Sequence, residues 1–153
     1  MRNIAVELLE QRGVDLDALA ELVLELQKPY DSSLTLDKCR ESVRQVLAKR
    51  EVQHAVITGI TLDMMAEEGT LKEPLGEIVR ENDRLFAIDE VLAFSIINIY
   101  GSISLSNFGY LGVERPKILV ELDEAQQVNT FLDDLLAAIV AAACARIAHN
   151  ARE

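Results

Sequence analysis

Thr130-Phe131-Leu132-Asp133-Asp134-Leu135-Leu136 opens a run that continues through alanine-rich turns to His149. At about 100° per residue, Leu132, Leu135, Leu136, Ile139 and Ile147 gather on one side of a helix. Ala137, Ala138, Ala141, Ala145 and Ala148 gather on the other. Neither side is made for water. The helix is therefore expected at the centre of a domain, with its alanine side inviting another helix to approach closely. The exception is the pair of adjacent carboxylates in its first turn.

A second segment, Leu85 to Ile97, has the same character: it is apolar on most faces and contains the acidic pair Asp89-Glu90. Burying an isolated ionised carboxylate costs several kcal/mol or more on order-of-magnitude grounds. Asp89, Glu90, Asp133 and Asp134 along central helices thus require a cation, hydrogen-bond donors or protonation to compensate them.

Outward from these two segments the chain reads as helix after helix. Asn3 to Arg12 ends at Gly13, and Asp15 can cap a helix carrying Leu16, Leu19, Leu22, Val23 and Leu26 until Pro29 stops it. Thr35 is a good N-cap for a helix bearing Leu36, Cys39, Val43, Val46 and Leu47. From Glu51 the apolar pattern runs through Val52, Ala55, Val56, Ile60 and Met64 to Gly69. Gly59 inside it costs about 1 kcal/mol against alanine, so something is expected to pack close to the backbone there. Pro74 opens a short helix, Leu75 to Arg80, and Glu81-Asn82-Asp83 makes a polar turn.

The one irregular stretch is Gly101 to Gly112; Ser102-Ile103-Ser104-Leu105-Ser106 alternates with the period of a short strand, but without partner strands the stretch is read as a loop or irregular helix. There Ser102, Ser104, Ser106 and Asn107 are expected to place hydroxyls and an amide between the two acidic helices. Pro116 begins a last amphipathic segment, Ile118 to Leu122, and Thr130 is expected to cap the terminal helix. The expected fold is all-α: a single compact multi-helix domain over residues 1–153, with two central apolar helices carrying acidic pairs.

Composition narrows the partners. A net charge of −11 over 153 residues disfavours non-specific nucleic-acid binding and adhesion to an anionic bilayer. The longest apolar run near the end, Leu135 to Ala145, is shorter than the roughly 20 residues of a membrane-spanning helix. Arg2, Glu7 and Glu10 interrupt the start before a signal-peptide core could form. A cytoplasmic protein is expected, with peripheral contact at the inner membrane face left open. Cys39 and Cys144 read as buried free thiols, and His54 and His149 are too few for a histidine-rich metal site.

Asp89, Glu90, Asp133 and Asp134 are hard oxygen ligands of the kind magnesium takes, usually one or two carboxylates completed by waters and a substrate phosphate. A purely structural role is the competing reading. Thr130-Phe131-Leu132-Asp133 fits a capping box, and acids in a first turn meet the helix dipole favourably, by about 0.3–1 kcal/mol.

Three blocks carry a family resemblance: Ile88-Asp89-Glu90-Val91-Leu92-Ala93, Arg115-Pro116-Lys117-Ile118, and Leu132-Asp133-Asp134-Leu135-Leu136-Ala137-Ala138. Together they resemble the phosphatidylglycerophosphatase A family. The likeness extends to its soluble low-temperature-requirement C branch through Lys49-Arg50-Glu51-Val52-Gln53 and Thr58-Gly59-Ile60. The resemblance implies a magnesium-dependent phosphomonoesterase that converts phosphatidylglycerophosphate to phosphatidylglycerol. It assigns catalytic roles to Asp89, Glu90, Asp133 and Asp134, metal binding to Asp89, Asp133 and Asp134, and phosphate contact to Arg115 or Lys117. Ser106 and Asn107 are the further substrate-binding candidates. Asn107 stands where the family carries an aspartate, and an amide cannot act as a general base.

The expected substrate is a phosphorylated small molecule or lipid headgroup. Two alternatives stand beside this reading: an inactive helical interaction protein, oligomeric through its alanine face, and an all-α nucleotide pyrophosphohydrolase. The latter uses ExxE and ExxD spacings, which the adjacent pairs here fit poorly.

Overall fold

Short polar side chains start the first three helices by accepting backbone hydrogen bonds that the helix itself cannot satisfy. Asn3 accepts from the Val6 amide at the head of α1 (Ile4–Gln11), Asp15 from Asp17 at α2 (Leu16–Gln27), and Thr35 from Lys38 at α3 (Leu36–Ala48). Pro29 turns the end of α2 into a single 3-10 turn, Lys28–Tyr30. α4 (Arg50–Glu68) stops at Gly69, whose φ of +75° is the left-handed conformation that a glycine C-cap supplies. The computed structural model describes residues 2–83, 86–114, 116–124 and 126–151, with 122–124 by their backbone alone. Leu85 and Arg115 lie outside them.

The rest is α5 (Leu75–Arg80), α6 (Ile88–Tyr100), α7 (Ser102–Val113), α8 (Lys117–Glu124) and α9 (Thr130–Asn150). The architecture is all-α, with no strand among the described residues.

α9 is the axis. Residues 130–132 and 135–145 are buried, and the helix packs against α2, α3, α4, α6, α7 and α8. Its alanine side is consumed inside the chain: Ala137, Ala138, Ala141 and Ala145 are buried, and on α3 the Ser42 hydroxyl donates to the Ala143 carbonyl at 2.9 Å. That face is therefore closed to a second copy, which corrects the expected route to an oligomer. Cys39 and Cys144 are buried free thiols, as expected.

Gly59 shows why α4 tolerates a glycine in its middle. A Cβ there would stand 2.5 Å from Leu135 Cδ1 and 3.0 Å from Phe131 Cβ, so only a bare backbone lets α4 and α9 meet at this depth. Gly59→Ala is expected to destabilise the protein by roughly 1–2 kcal/mol, even though alanine is the better helix former by about 1 kcal/mol. Thermal melting checks this; an unchanged or higher midpoint would mean that Leu135 yields freely.

The stretch from Gly101 to Gly112 is not a loop. Gly101, at φ +81°, makes the corner after α6, and from Ser102 the chain is continuous α-helix. The serine alternation hides a helical stripe in which Ser104 and Leu111, seven apart, are buried toward α9. Packing against that helix overrides the weak propensity of glycine and serine.

Candidate acidic site at the head of the central helix

α4 and α9 run antiparallel, whereas α6 and α9 run parallel. The end of α4 and the first turns of α6 and α9 therefore meet at one end of the bundle. Phe86, just before α6, packs edge-on against Phe131 at 5.6 Å between ring centres, and Leu92 reaches Gly59. Five carboxylates converge on this corner: Asp63 from α4, Asp89 and Glu90 from α6, and Asp133 and Asp134 from α9.

Asp134 and Asp89 are both half-buried and hydrogen-bonded to each other. Burial pushes the Asp134 carboxyl up to about 8, and the hydrogen bond to Asp89 and the charges of Asp89, Asp133 and Glu90 push in the same direction. These causes favour the protonated form of Asp134 beside Asp89. Among the described residues, the charges that act on it are those of Asp89, Asp133 and Glu90. Asp133, one residue and about 100° earlier on the helix, acts on Asp134 through its charge. Glu90 is exposed at the mouth.

Asp63 was not singled out from the sequence. It is fully buried, and both its oxygens accept from the head of α9: Oδ1 from Phe131 N at 3.0 Å, and Oδ2 from Leu132 N at 2.9 Å. A carboxylate from a different helix thus does the capping expected of Thr130. Thr130 itself is inside the helix, and its hydroxyl donates to the Val79 carbonyl. The capping box is accordingly not formed at Asp133, whose amide donates to Asn129 O. Burial raises the Asp63 carboxyl to about 7 against the downward pull of the two amides and Arg12. A signal was present: Val52, Val56, Gly59 and Asp63 share one stripe of α4, so an acid stood among core positions.

Arg12 was missed as well. Its buried guanidinium pairs with Glu67 at 3.2 Å and donates to the Val128 carbonyl at 2.7 Å, tying the approach to α9 onto α1 and α4. Arg12 is shared: it pairs with Glu67, and its charge also pulls the Asp63 carboxyl down.

The remaining sequence candidates lie elsewhere. Ser106 and Asn107 line a cleft of about 460 Å³ with Gln27, Tyr30, Ile147 and Ala151. That is the far end of α9, ~20 Å from Asp134 at 1.5 Å of rise per residue. The structure does not bring these two residues between the acidic helices, because α7 starts where α6 ends. Lys117 is exposed at the head of α8, with its ammonium 3.8 Å from Glu121. Arg115 falls outside the described residues.

Ala87 precedes the acidic pair with φ +58°, a left-handed conformation that a residue with a Cβ adopts at a cost of about 1 kcal/mol or more. It turns the chain into α6 and so aims Asp89 at Asp134. Ala87→Gly is expected to stabilise the fold by up to about 1 kcal/mol, read as a higher urea midpoint. A lower midpoint would remove the claim of strain.

Residues 6–149 match the family described as phosphatidylglycerophosphatase A. The chain belongs to that family. It is 51% identical to the Bacillus subtilis protein YutG over 94% of this chain and 88% of that one. Among solved structures, it resembles the low temperature requirement C protein of Listeria monocytogenes, with 50% identity, a TM-score of 0.93, and coverage of 97% of this chain and 95% of that one. A Bacillus stearothermophilus protein is equally similar in shape, with a TM-score of 0.93 and 48% identity over 99% and 97% of the two chains.

Phosphatidylglycerophosphatase A membership makes the donor set worth testing against magnesium. Among the described residues no three His, Cys, Asp or Glu side chains are gathered closely enough to hold an ion by themselves, so the expected set of Asp89, Asp133 and Asp134 is not closed here. The hydrogen-bonded pair Asp89–Asp134 nevertheless suits an ion that takes one or two carboxylates and fills its shell with water and phosphate. No helix among the described residues is long and apolar enough to cross a membrane.

Proposed function

We propose that this member of the phosphatidylglycerophosphatase A family is a magnesium-dependent phosphomonoesterase that acts on phosphatidylglycerophosphate to leave phosphatidylglycerol and inorganic phosphate. The observation that carries the reading is the Asp134–Asp89 pair, half-buried, hydrogen-bonded and standing beside Asp133 and Glu90. Carboxylates kept in that state favour a cation and disfavour a purely structural role.

Asp89 and Asp134 would hold magnesium, with Asp133 adding negative charge behind Asp134. Bound there, the ion would neutralise the pair and polarise a phosphoryl oxygen. Glu90, exposed beside Asp89, would take the proton from the attacking water as its oxygen bonds to phosphorus, and the phosphorus–alkoxide bond would break with the leaving oxygen gaining a proton. The first amides of α9 cannot receive the phosphate, because Asp63 already occupies the Phe131 and Leu132 donors. The ion would supply positive charge to the phosphoryl oxygens, and the family resemblance assigns phosphate contact to Arg115 or Lys117 as well. Asn107 sits too far from the acids to be a base, so an amide there leaves this chemistry intact.

The test is phosphate release from phosphatidylglycerophosphate in mixed micelles, with magnesium or with EDTA. Magnesium-dependent release supports the reading; none from a folded sample overturns the substrate assignment.

A further inference from the structure

The other face of α6 and the adjoining face of α7 have no packing partner among the described residues. From Val91 to Val113 no residue carries a charge, in a protein of net charge −11. On the outer side of these helices Val91 is 57% exposed, Leu105 53% and Val113 81%, with Ile88, Phe94 and Ile99 also exposed. Residues 88, 91, 95 and 99 follow one stripe along the whole of α6. Phe94 packs edge-on against Phe108 at 5.6 Å, so the two helices present one continuous surface.

The exposed apolar side chains run the whole length of α6 and on to the end of α7, far beyond the singly scattered apolar residues of an ordinary monomer surface, and an interface of standard size takes about 800 Å² from each partner. Gly109 and Gly112 on α7 add a separate observation. Both are helical, where glycine is a poor choice, and nothing lies within 4 Å of where their Cβ atoms would be. Gly59 is explained by α9 pressing on it; these two have no such neighbour.

We propose that the α6–α7 face is the interface of a homodimer in which the exposed faces of two copies pack on each other, with Gly109 and Gly112 permitting close backbone approach. Charge selects the occupant. Two chains at −11 repel each other, and a charge-free face is where they can meet without bringing like charges into contact. A bilayer fits less well: the face carries no lysine or arginine to engage anionic headgroups, the chain has no tryptophan, and lipid contact makes no use of bare glycine backbone. The symmetric, uncharged core matches the charge depletion of homodimer interfaces.

Sedimentation velocity over a concentration series tests it, on the wild type, Leu105→Glu, Val113→Glu and Gly109→Leu. The wild type is expected at twice the 17.0 kDa chain mass. Each variant should retain its helical circular dichroism and raise the dissociation constant by at least about 100-fold, because the substituted positions are open in the single chain. A wild type that stays monomeric at tens of micromolar would overturn the proposal, as would a dimer that survives all three substitutions. Monomeric wild type that co-sediments with phosphatidylglycerol vesicles would reassign the face to lipid.

Discussion

Asp134→Asn is expected to lower magnesium-dependent phosphate release on the order of 1,000-fold while making the metal-free protein more stable. The two effects have one cause. In the wild type Asp134 is pressed by burial, by its hydrogen bond to Asp89 and by the charges of Asp89, Asp133 and Glu90. An amide keeps the shape and can still donate to Asp89, but carries no charge to repel its neighbours or to bind a cation. A gain of about 1–2 kcal/mol corresponds to a melting point several degrees higher at this chain length. Magnesium should then raise the melting point of the wild type and leave the variant where it is. Calorimetry with and without EDTA, beside the phosphate assay, checks both halves. A variant that retains release within about 10-fold of wild type would remove Asp134 from the chemistry, and one that is simply unstable would make its role structural.

Asp63→Ala is expected to cost about 3 kcal/mol or more, the largest stability effect of any single acid here. It strips the buried Phe131 and Leu132 amides of their acceptor at the start of the helix around which everything packs. Asp63→Asn keeps an acceptor oxygen and isolates the charge. The Asp63 carboxyl is raised from 3.8 to about 7 on folding. Below pH 3.8 both states hold the proton and its contribution to stability is complete. Between 3.8 and 7 only the folded state holds it, so stability is lost as pH rises, and above 7 the loss is complete. Relative to Asp63→Asn, the wild type should therefore lose roughly 4 kcal/mol across that window, an order-of-magnitude figure. Urea titrations of both proteins at pH 4.5 and 7.5 measure it; a difference that stays flat with pH would show that Asp63 is ionised throughout.

Much of the site is legible in local sequence. The acidic pairs stand out because each interrupts an apolar helix, and Gly59 announces a close contact before the contact is seen. Asp63 was readable in principle, as an acid on a core stripe, but it is a single residue in a helix that carries other acids. Arg12 gave no local sign, since Glu67 and Val128 lie 55 and 116 residues away in the chain. α7 was obscured because alternating serines imitate a strand while its burial against α9 follows another period.

The sequence by itself determined the all-α architecture, the polar caps of α2 and α3, and the wholly apolar α9 with carboxylates in its first turn. These follow from side-chain chemistry repeated at the helical period, which any one segment carries alone. Only the tertiary structure decided that α6 runs parallel to α9, so that Asp89 meets Asp134 while Ser106 and Asn107 go to the opposite end. It also put Asp63 beneath the head of α9 and left the α6–α7 face uncovered. Periodicity says which side of a helix avoids water, but not which helix will cover it or in which direction that helix will run. Those depend on how side chains distant in sequence fill the same volume.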